Sequence, residues 1–297
     1  MDKEILEKYI KAGRIAAKVR DECKSLVKPG KNILDIVEEI ERRIIELGGE
    51  PAFPVNIGIN NIAAHYTPEK GEDILLREGD IVKIDIGVHI DGYIGDTAIT
   101  ISLGGYEDLL ESSRKALNEA IKLLKPGIKT NEIAETIQKT IESFGFKVIS
   151  NLTGHGLERF NIHAEPQIPN VITSNNYTLK EYDVIAIEPF ATTGIGFVKD
   201  LDEARIFSVL MDKRNMLRSV EAREIYSFGI KRNGLPFTSR WLELSKIKFR
   251  LGIKELKMKD MIYPYYILAE KEGAMVAQFE HTIIIRDKPI VTTIYND

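Results

Sequence analysis

The chain has 297 residues, 43% of them hydrophobic and 29% charged, with a net charge of −4. That composition fits a soluble globular protein with a sizeable core and excludes a disordered or collagen-like chain. No apolar run approaches the roughly 18 residues needed to span a membrane, Met1-Asp-Lys-Glu-Ile lacks the basic-then-apolar pattern of a leader, and one cysteine, Cys23, excludes an intramolecular disulfide. Together these features predict a cytoplasmic protein with no membrane partner.

The chain opens with an amphipathic helical pattern over about residues 3–27, broken at Pro29-Gly30. Cys23 lies on that pattern, where packing is the expected role. A second helix follows, with Ile36, Val37, Ile40, Ile44 and Leu47 at helical intervals and Gly48 in the place of a C-terminal cap. His65 then stands in a polar loop or strand end, Asn60-Asn-Ile-Ala-Ala-His65-Tyr-Thr-Pro68.

Next comes a hairpin. Ile81-Val-Lys-Ile-Asp85-Ile-Gly-Val and Tyr93-Ile-Gly-Asp96-Thr-Ala-Ile-Thr-Ile101 read as strands joined by the turn Asp91-Gly92. A two-residue turn there pairs Asp85 with Ala98 and Asp96 with Gly87. The two carboxylates are then diagonal on one face, with Cα atoms about 7–8 Å apart. In apolar surroundings such a pair must share a proton or hold a cation, because leaving both ionised is costly. His89 is expected on the hairpin surface.

The chain then repeats itself with an offset of 97 residues. Leu124-Lys-Pro-Gly127 matches Val27-Lys-Pro-Gly30, and the apolar positions from Ile133 to Phe144 match those from Ile36 to Leu47. A strand, Asp183-Val-Ile-Ala-Ile-Glu188, resembles Asp80-Ile-Val-Lys-Ile-Asp85, so Glu188 takes the place of Asp85. The period is too long for a solenoid and predicts two α+β halves related by a pseudo-twofold, with a site at their junction. His155 and His163 precede that strand, and glycines beside His155 are expected to allow close approach of a ligand.

The return strand of the second half is delayed until Gly273-Ala-Met-Val-Ala-Gln-Phe-Glu280-His-Thr-Ile-Ile-Ile285. Glu280 interrupts it, and the adjacent His281 must face the other way, toward packing. Residues 201–265 read as an inserted helical subdomain, with helices expected from about Lys213 to Ile230 and from about Thr238 to Ser245. Fourteen basic against five acidic residues from Arg205 to Lys259 give the insert +9, leaving −13 elsewhere. A basic insert on an acidic body could contact RNA, including the ribosome.

One imidazole with four carboxylates suits hard or borderline divalent ions such as Mn, Fe, Co or Zn rather than a structural zinc. Four carboxylates also suffice for two ions about 3.5–4 Å apart. No Gly-x-Ser-x-Gly elbow, P-loop or complete dinucleotide loop is present.

These motifs resemble those of the type 2 methionine aminopeptidases in their shorter, archaeal-like form. The resemblance runs through Ala52-Phe-Pro, Ala64-His65-Tyr-Thr-Pro, Lys83-Ile-Asp85-Ile-Gly, Gly95-Asp96-Thr-Ala, Gly154-His155-Gly, Ile162-His163-Ala, Ala186-Ile-Glu188-Pro and Gln278-Phe-Glu280-His-Thr. It implies the pita-bread α+β fold as one catalytic domain over residues 1–297. It also implies two divalent ions held by Asp85, Asp96, His155, Glu188 and Glu280, with Asp96 and Glu280 bridging. A bridging hydroxide would attack the carbonyl of an N-terminal methionine on a nascent polypeptide, with Glu188 as proton shuttle. His65 and His163 would contact the scissile amide, and Phe53, Ile162 and Tyr265 would form the methionine pocket. Lys199 stands where some members of the family carry a histidine near that pocket. A monomer is expected.

Two other readings remain. Proline-specific aminopeptidases and dipeptidases share the fold and the five ligands, but the His65 context, the insert and the lack of a large N-terminal domain weigh against them. A non-catalytic RNA- or protein-binding relative is disfavoured because all five ligands are retained.

Overall fold

Helices α1 (Lys3–Cys23) and α2 (Ile33–Glu46) open the first half, in a computed structural model that describes residues 1–211 and 216–294. Asn32 caps α2 by accepting from the Leu34 N–H. The predicted apolar stripe, Ile36, Val37, Ile40 and Ile44, is buried. The sheet beneath is built on the hairpin. Short β1 (Glu50–Pro51) and β2 (Asn56–Ile59) pair in succession along one edge of β4 (Ile81–Ile90), while β3 (Ile62–Ala64) leaves for another sheet. On the other edge of β4, β5 (Tyr93–Ser102) pairs in the predicted register, Asp85 opposite Ala98 and Gly87 opposite Asp96. The turn residues Asp91 and Gly92 have φ of 52° and 86°, the left-handed pair that a two-residue hairpin turn of this twist requires.

The second half repeats the plan. Helix α3 (Glu107–Leu123) precedes α4 (Thr130–Ser143), whose limits are those of α2 displaced by 97 residues at both ends. Strands β6 (Lys147–Val148), β7 (Thr153–Glu158), β8 (Asn161–Pro169), β9 (Val184–Ile187) and β10 (Phe190–Thr192) follow. The chain then departs through β11 (Lys199–Val209), α5 (Val220–Lys231), β12 (Phe237–Thr238), α6 (Lys246–Met258) and β13 (Ile262–Ala269). Strands β12, β11 and β13 form one antiparallel sheet to which β3 of the first half adds an edge. Phe207, Phe237, Phe249 and Leu256 belong to a separate core in this segment. The return strands complete the second half: β14 (Val276–Gln278) pairs β10, and β15 (His281–Ile284) lies between β9 and β16 (Ile290–Val291).

The helices between β11 and β13 differ from expectation. The first starts at Val220, capped by the Ser219 hydroxyl, and the expected start at Lys213 lies outside the described residues. No helix runs from Thr238 to Ser245. Thr238 is extended, Ser239–Trp241 make one 3-10 turn, and Ser245 is the cap of a later helix. The apolar set Phe249, Ile253 and Leu256, at helical spacing, is what buries α6. His89 is also not on the surface. Its ring is 6% exposed, accepts from the Gly92 N–H and packs against Phe160, because the hairpin end folds under the second half.

The halves meet along β5 and the β14–β15 bend, through threonine hydroxyls. Thr282 Oγ1 accepts from the Asp96 N–H and donates to the Asp96 carbonyl, both at 2.8 Å. Thr100 Oγ1 does the same for Gln278, at 2.8 and 2.7 Å. Thr97 Oγ1 donates to the Glu280 carbonyl at 2.7 Å, and the Glu280 N–H donates to Ala98 at 3.1 Å. The segments that carry Asp96 and Glu280 are thus fastened to each other, not merely adjacent. Behind them Arg20 donates to Thr97 and to the Thr293 carbonyl, and His281 packs beside Thr293, as its outward direction predicts.

Candidate metal centre

Five side chains converge on this seam. Asp85 comes from β4, Asp96 from β5, His155 from β7, Glu188 from the residue after β9, and Glu280 from the bend between β14 and β15. His155 Nε2 lies 3.9 Å from Asp96 Oδ2 and 3.7 Å from Glu188 Oε1. Asp96, His155 and Glu280 each offer a ligand atom within 4.8 Å of the others. The Gln278 amide donates to Glu188 at 3.1 Å and reaches Glu280 at 3.5 Å.

Burial dominates the electrostatics. It pushes Asp85 up to about 7 against the opposing hydrogen bonds to that carboxylate, and raises Asp96, Glu188 and Glu280 well above the ordinary carboxylate range, where repulsion from neighbouring carboxylates adds to it. His155 is driven the other way, to about 4, and is neutral. Its Nδ1 faces the Gly156 carbonyl at 3.2 Å, which makes Nδ1 the N–H donor and turns the Nε2 lone pair toward the carboxylates.

Asp85 Oδ1, Asp96 Oδ1 and Glu280 Oε1 are buried with no hydrogen-bond partner. Each such atom costs about 1–3 kcal/mol, so three at one point mark a place built for something else. Oxygen-rich donors with one imidazole fit a divalent cation, and the arrangement matches that demand in charge as well as donor type.

The glycines around His155 serve a different purpose from the one expected. A Cβ at Gly154 would come within 2.3 Å of the Ala186 carbonyl oxygen, and one at Gly156 within 2.1 Å of that of Glu165. They let β7 lie close to β9 and β8, rather than admitting a ligand.

Above the carboxylates is a cavity of about 290 Å³, lined by Phe53, Asn56, His65, Ile162, His163 and Tyr265 among others. Phe53 lies over Gly87, where a Cβ would stand 2.2 Å from its ring. Tyr265 sits between the imidazoles, 5.5 Å from the His65 ring and 5.8 Å from that of His163, which is itself 4.7 Å from His155. Burial lowers the pKa of both His65 and His163. His65 Nδ1 faces the Tyr266 carbonyl at 3.1 Å, so its Nε2 is left as an acceptor. All ten site residues singled out from the sequence line this one cavity. Lys199 does not; it is exposed at the start of β11 opposite Ala269.

Several contributors were not foreseen as site residues. Asn56 pairs with Asp85 across β2 and β4 and lines the cavity. Lys83, fully buried, donates to the carbonyls of Asn60 at 2.9 Å and Val276 at 3.1 Å, tying the halves together beside Asp85. Thr282 fixes the main chain of Asp96, Thr100 that of Gln278, and the Gln278 amide orients Glu188. For Lys83 and Gln278 the only signal was their place within the motifs.

Residues 7–287 match the model of Metallopeptidase family M24. The chain belongs to that family. It is 51% identical over 294 residues to a methionine aminopeptidase of Thermococcus onnurineus, covering 97% of this chain and 99% of that protein. Among solved structures, methionine aminopeptidase of Thermotoga maritima superposes with a TM-score of 0.72 at 26% identity, over 99% of this chain and 98% of that one. A thermophilic Arx1 reaches 0.87 at 22% identity, over 98% of this chain and 91% of that one, a likeness of fold. The architecture is the pita-bread fold of the M24 metallopeptidases, and the buried group of Asp96, His155 and Glu280 could hold a metal ion.

Without a cation, the cluster has a definite pH signature. Asp85 is held at about 7 in the folded chain, against about 4 when unfolded. Between those values the folded state binds more protons, so stability falls as pH rises. Thermal melts of chelator-treated protein should show Tm declining from about pH 5 to pH 8, with Mn restoring it. A chelated protein that gains stability over that window would contradict these electrostatics.

Proposed function

We propose that the chain is a type 2 methionine aminopeptidase of the archaeal-like form, removing the N-terminal methionine of nascent polypeptides in the cytoplasm as a monomer. The observation that carries this reading is the meeting of four carboxylates, Asp96 and Glu280 buried and Asp85 and Glu188 partly so, and one neutral imidazole in a cavity of mixed polar and apolar lining bordered by two more imidazoles. The relative from Thermococcus onnurineus, matched over nearly its whole length, supports the same reading. In this reading residues 1–297 form one catalytic domain, with 201–265 as a subdomain inserted in it.

Asp85, Asp96, His155, Glu188 and Glu280 would hold two divalent ions, drawn from Co, Mn, Fe or Zn. Such ions supply Lewis acidity toward the scissile carbonyl and acidify water at neutral pH. The remaining work falls to the chain. Glu188, oriented by the Gln278 amide, takes the proton of the attacking water and passes it to the leaving amine. His65 Nε2, an acceptor, receives the main-chain N–H of the substrate. His163, kept neutral by burial, donates to the oxygen that becomes negative in the transition state. Phe53, Ile162 and Tyr265 receive the methionine side chain, whose thioether packs well on aromatic surface.

A pocket of this kind separates side chains differing by one methylene by only about 1–3 kcal/mol. Near-isosteres of methionine should therefore be cut slowly. Purified, metal-loaded protein is expected to release Met from Met-Ala and Met-Gly peptides, to spare N-acetylated ones, and to lose activity and bound metal in Asp96→Asn. Cleavage confined to Xaa-Pro peptides would establish the proline-specific alternative. Near-normal turnover by Asp96→Asn would remove the two-ion mechanism.

The excess of basic residues between Arg205 and Lys259 supports a ribosome contact for the same segment. Co-sedimentation with ribosomes should weaken steeply from about 50 to 200 mM salt. Absent or salt-insensitive binding would exclude a contact through RNA phosphates.

A further inference from the structure

The segment from β11 to β13 grips the first half at two places that wall the cavity, and a single buried ion pair organises the grip. Glu41, on α2, is 7% exposed. Its carboxylate accepts two bonds from the Arg240 guanidinium, both at 2.9 Å, one from Trp241 Nε1 at 2.8 Å and one from the Val55 N–H at 3.2 Å. Arg240 also donates to the Pro68 carbonyl at 2.8 Å and to the Thr67 hydroxyl at 2.9 Å. Nearby, Arg232 lies over the Trp241 ring and donates to the Pro51 carbonyl at 2.8 Å.

The places gripped are not arbitrary. Pro51 and Val55 bracket Phe53, while Thr67 and Pro68 follow His65 directly after Tyr66. Phe53 and His65 both line the cavity. On the far side of His65, its Nδ1 rests on the Tyr266 carbonyl of β13, and β3 pairs with the same strand.

A buried pair of this sort is a poor source of stability, since apolar residues of similar size often hold as well. What apolar residues cannot supply is direction. Three of the bonds made by the pair run to atoms of the wall segments, at Val55, Thr67 and Pro68, and the two between Arg240 and Glu41 fix the guanidinium plane. We propose that the Glu41–Arg240 pair, with Trp241, is a positioning device through which the β11–β13 segment sets where Phe53 and His65 stand, and thereby the affinity for the substrate's N-terminal side chain. The proposal rests on the aminopeptidase reading for its substrate, though not for its geometry.

The test compares metal-loaded wild type with Arg240→Lys, which keeps the charge but loses the forked bonds, and with Trp241→Phe, which removes one donor and no charge. KM for a Met-Ala peptide should rise about tenfold in Arg240→Lys and about threefold in Trp241→Phe, with kcat within about twofold. Metal affinity by calorimetry should be unchanged. Amide hydrogen exchange should quicken over residues 52–57 and 65–67 while β4 and β5 stay protected. Lowered Tm with KM or wall-segment exchange unmoved would overturn the proposal and leave the pair a structural brace. If the wild type cleaves no methionyl peptide, the functional reading fails, and the exchange pattern alone decides the positioning.

Discussion

Four carboxyl groups brought together at one seam, with no arginine or lysine among the described residues pairing them, are the constraint around which this molecule is arranged. Burial already penalises each charge, and proximity penalises them together. Lys83 is close in sequence, but its ammonium is directed to two main-chain carbonyls and not to a carboxylate. Such a cluster is tolerable only with shared protons or with cations of higher charge. The neutral His155, its lone pair turned inward by the Gly156 carbonyl, adds a donor that favours the second solution.

The duplicated architecture explains how the cluster is delivered. Each half brings one carboxylate on or just past one strand, Asp85 on β4 and Glu188 after β9, and one from its return, Asp96 on β5 and Glu280 at the β14–β15 bend. Main-chain pairing alone would leave the two returns free to slide. The hydroxyls of Thr282 and Thr100, each bonded to both the N–H and the carbonyl of one residue across the seam, remove that freedom. The cavity above draws on a third component, because Tyr265 and the carbonyl that orients His65 both come from β13. Ligand placement thus belongs to the seam, and wall placement belongs to the contact between the first half and the β11–β13 segment.

Much of this was legible in the sequence, for definite physical reasons. Asp91-Gly92 specifies a two-residue turn, a turn specifies register, and register puts Asp85 and Asp96 on one face. The helical repeat could be read because Ile36, Val37, Ile40 and Ile44 face a core and recur as Ile133, Ala134, Ile137 and Ile141. What escaped depends on partners distant in the chain. His89 looks like a surface turn residue until Phe160 covers it. Gly154 and Gly156 suggest a ligand until β9 and β8 occupy the space. Thr282 and Asp96 are 186 residues apart, and no local pattern announces a hydroxyl that bridges them. The helix expected over Thr238–Ser245 failed for a local reason: Ser245 begins the apolar spacing of α6 and does not end an earlier helix.

We propose that these carboxylates hold two cations at the junction of the halves. Anomalous diffraction from crystals of the Mn-loaded protein tests it most directly. Two peaks about 3.5–4 Å apart are expected among Asp85, Asp96, His155, Glu188 and Glu280. A single peak at full occupancy in saturating Mn, or peaks away from this seam, would contradict it.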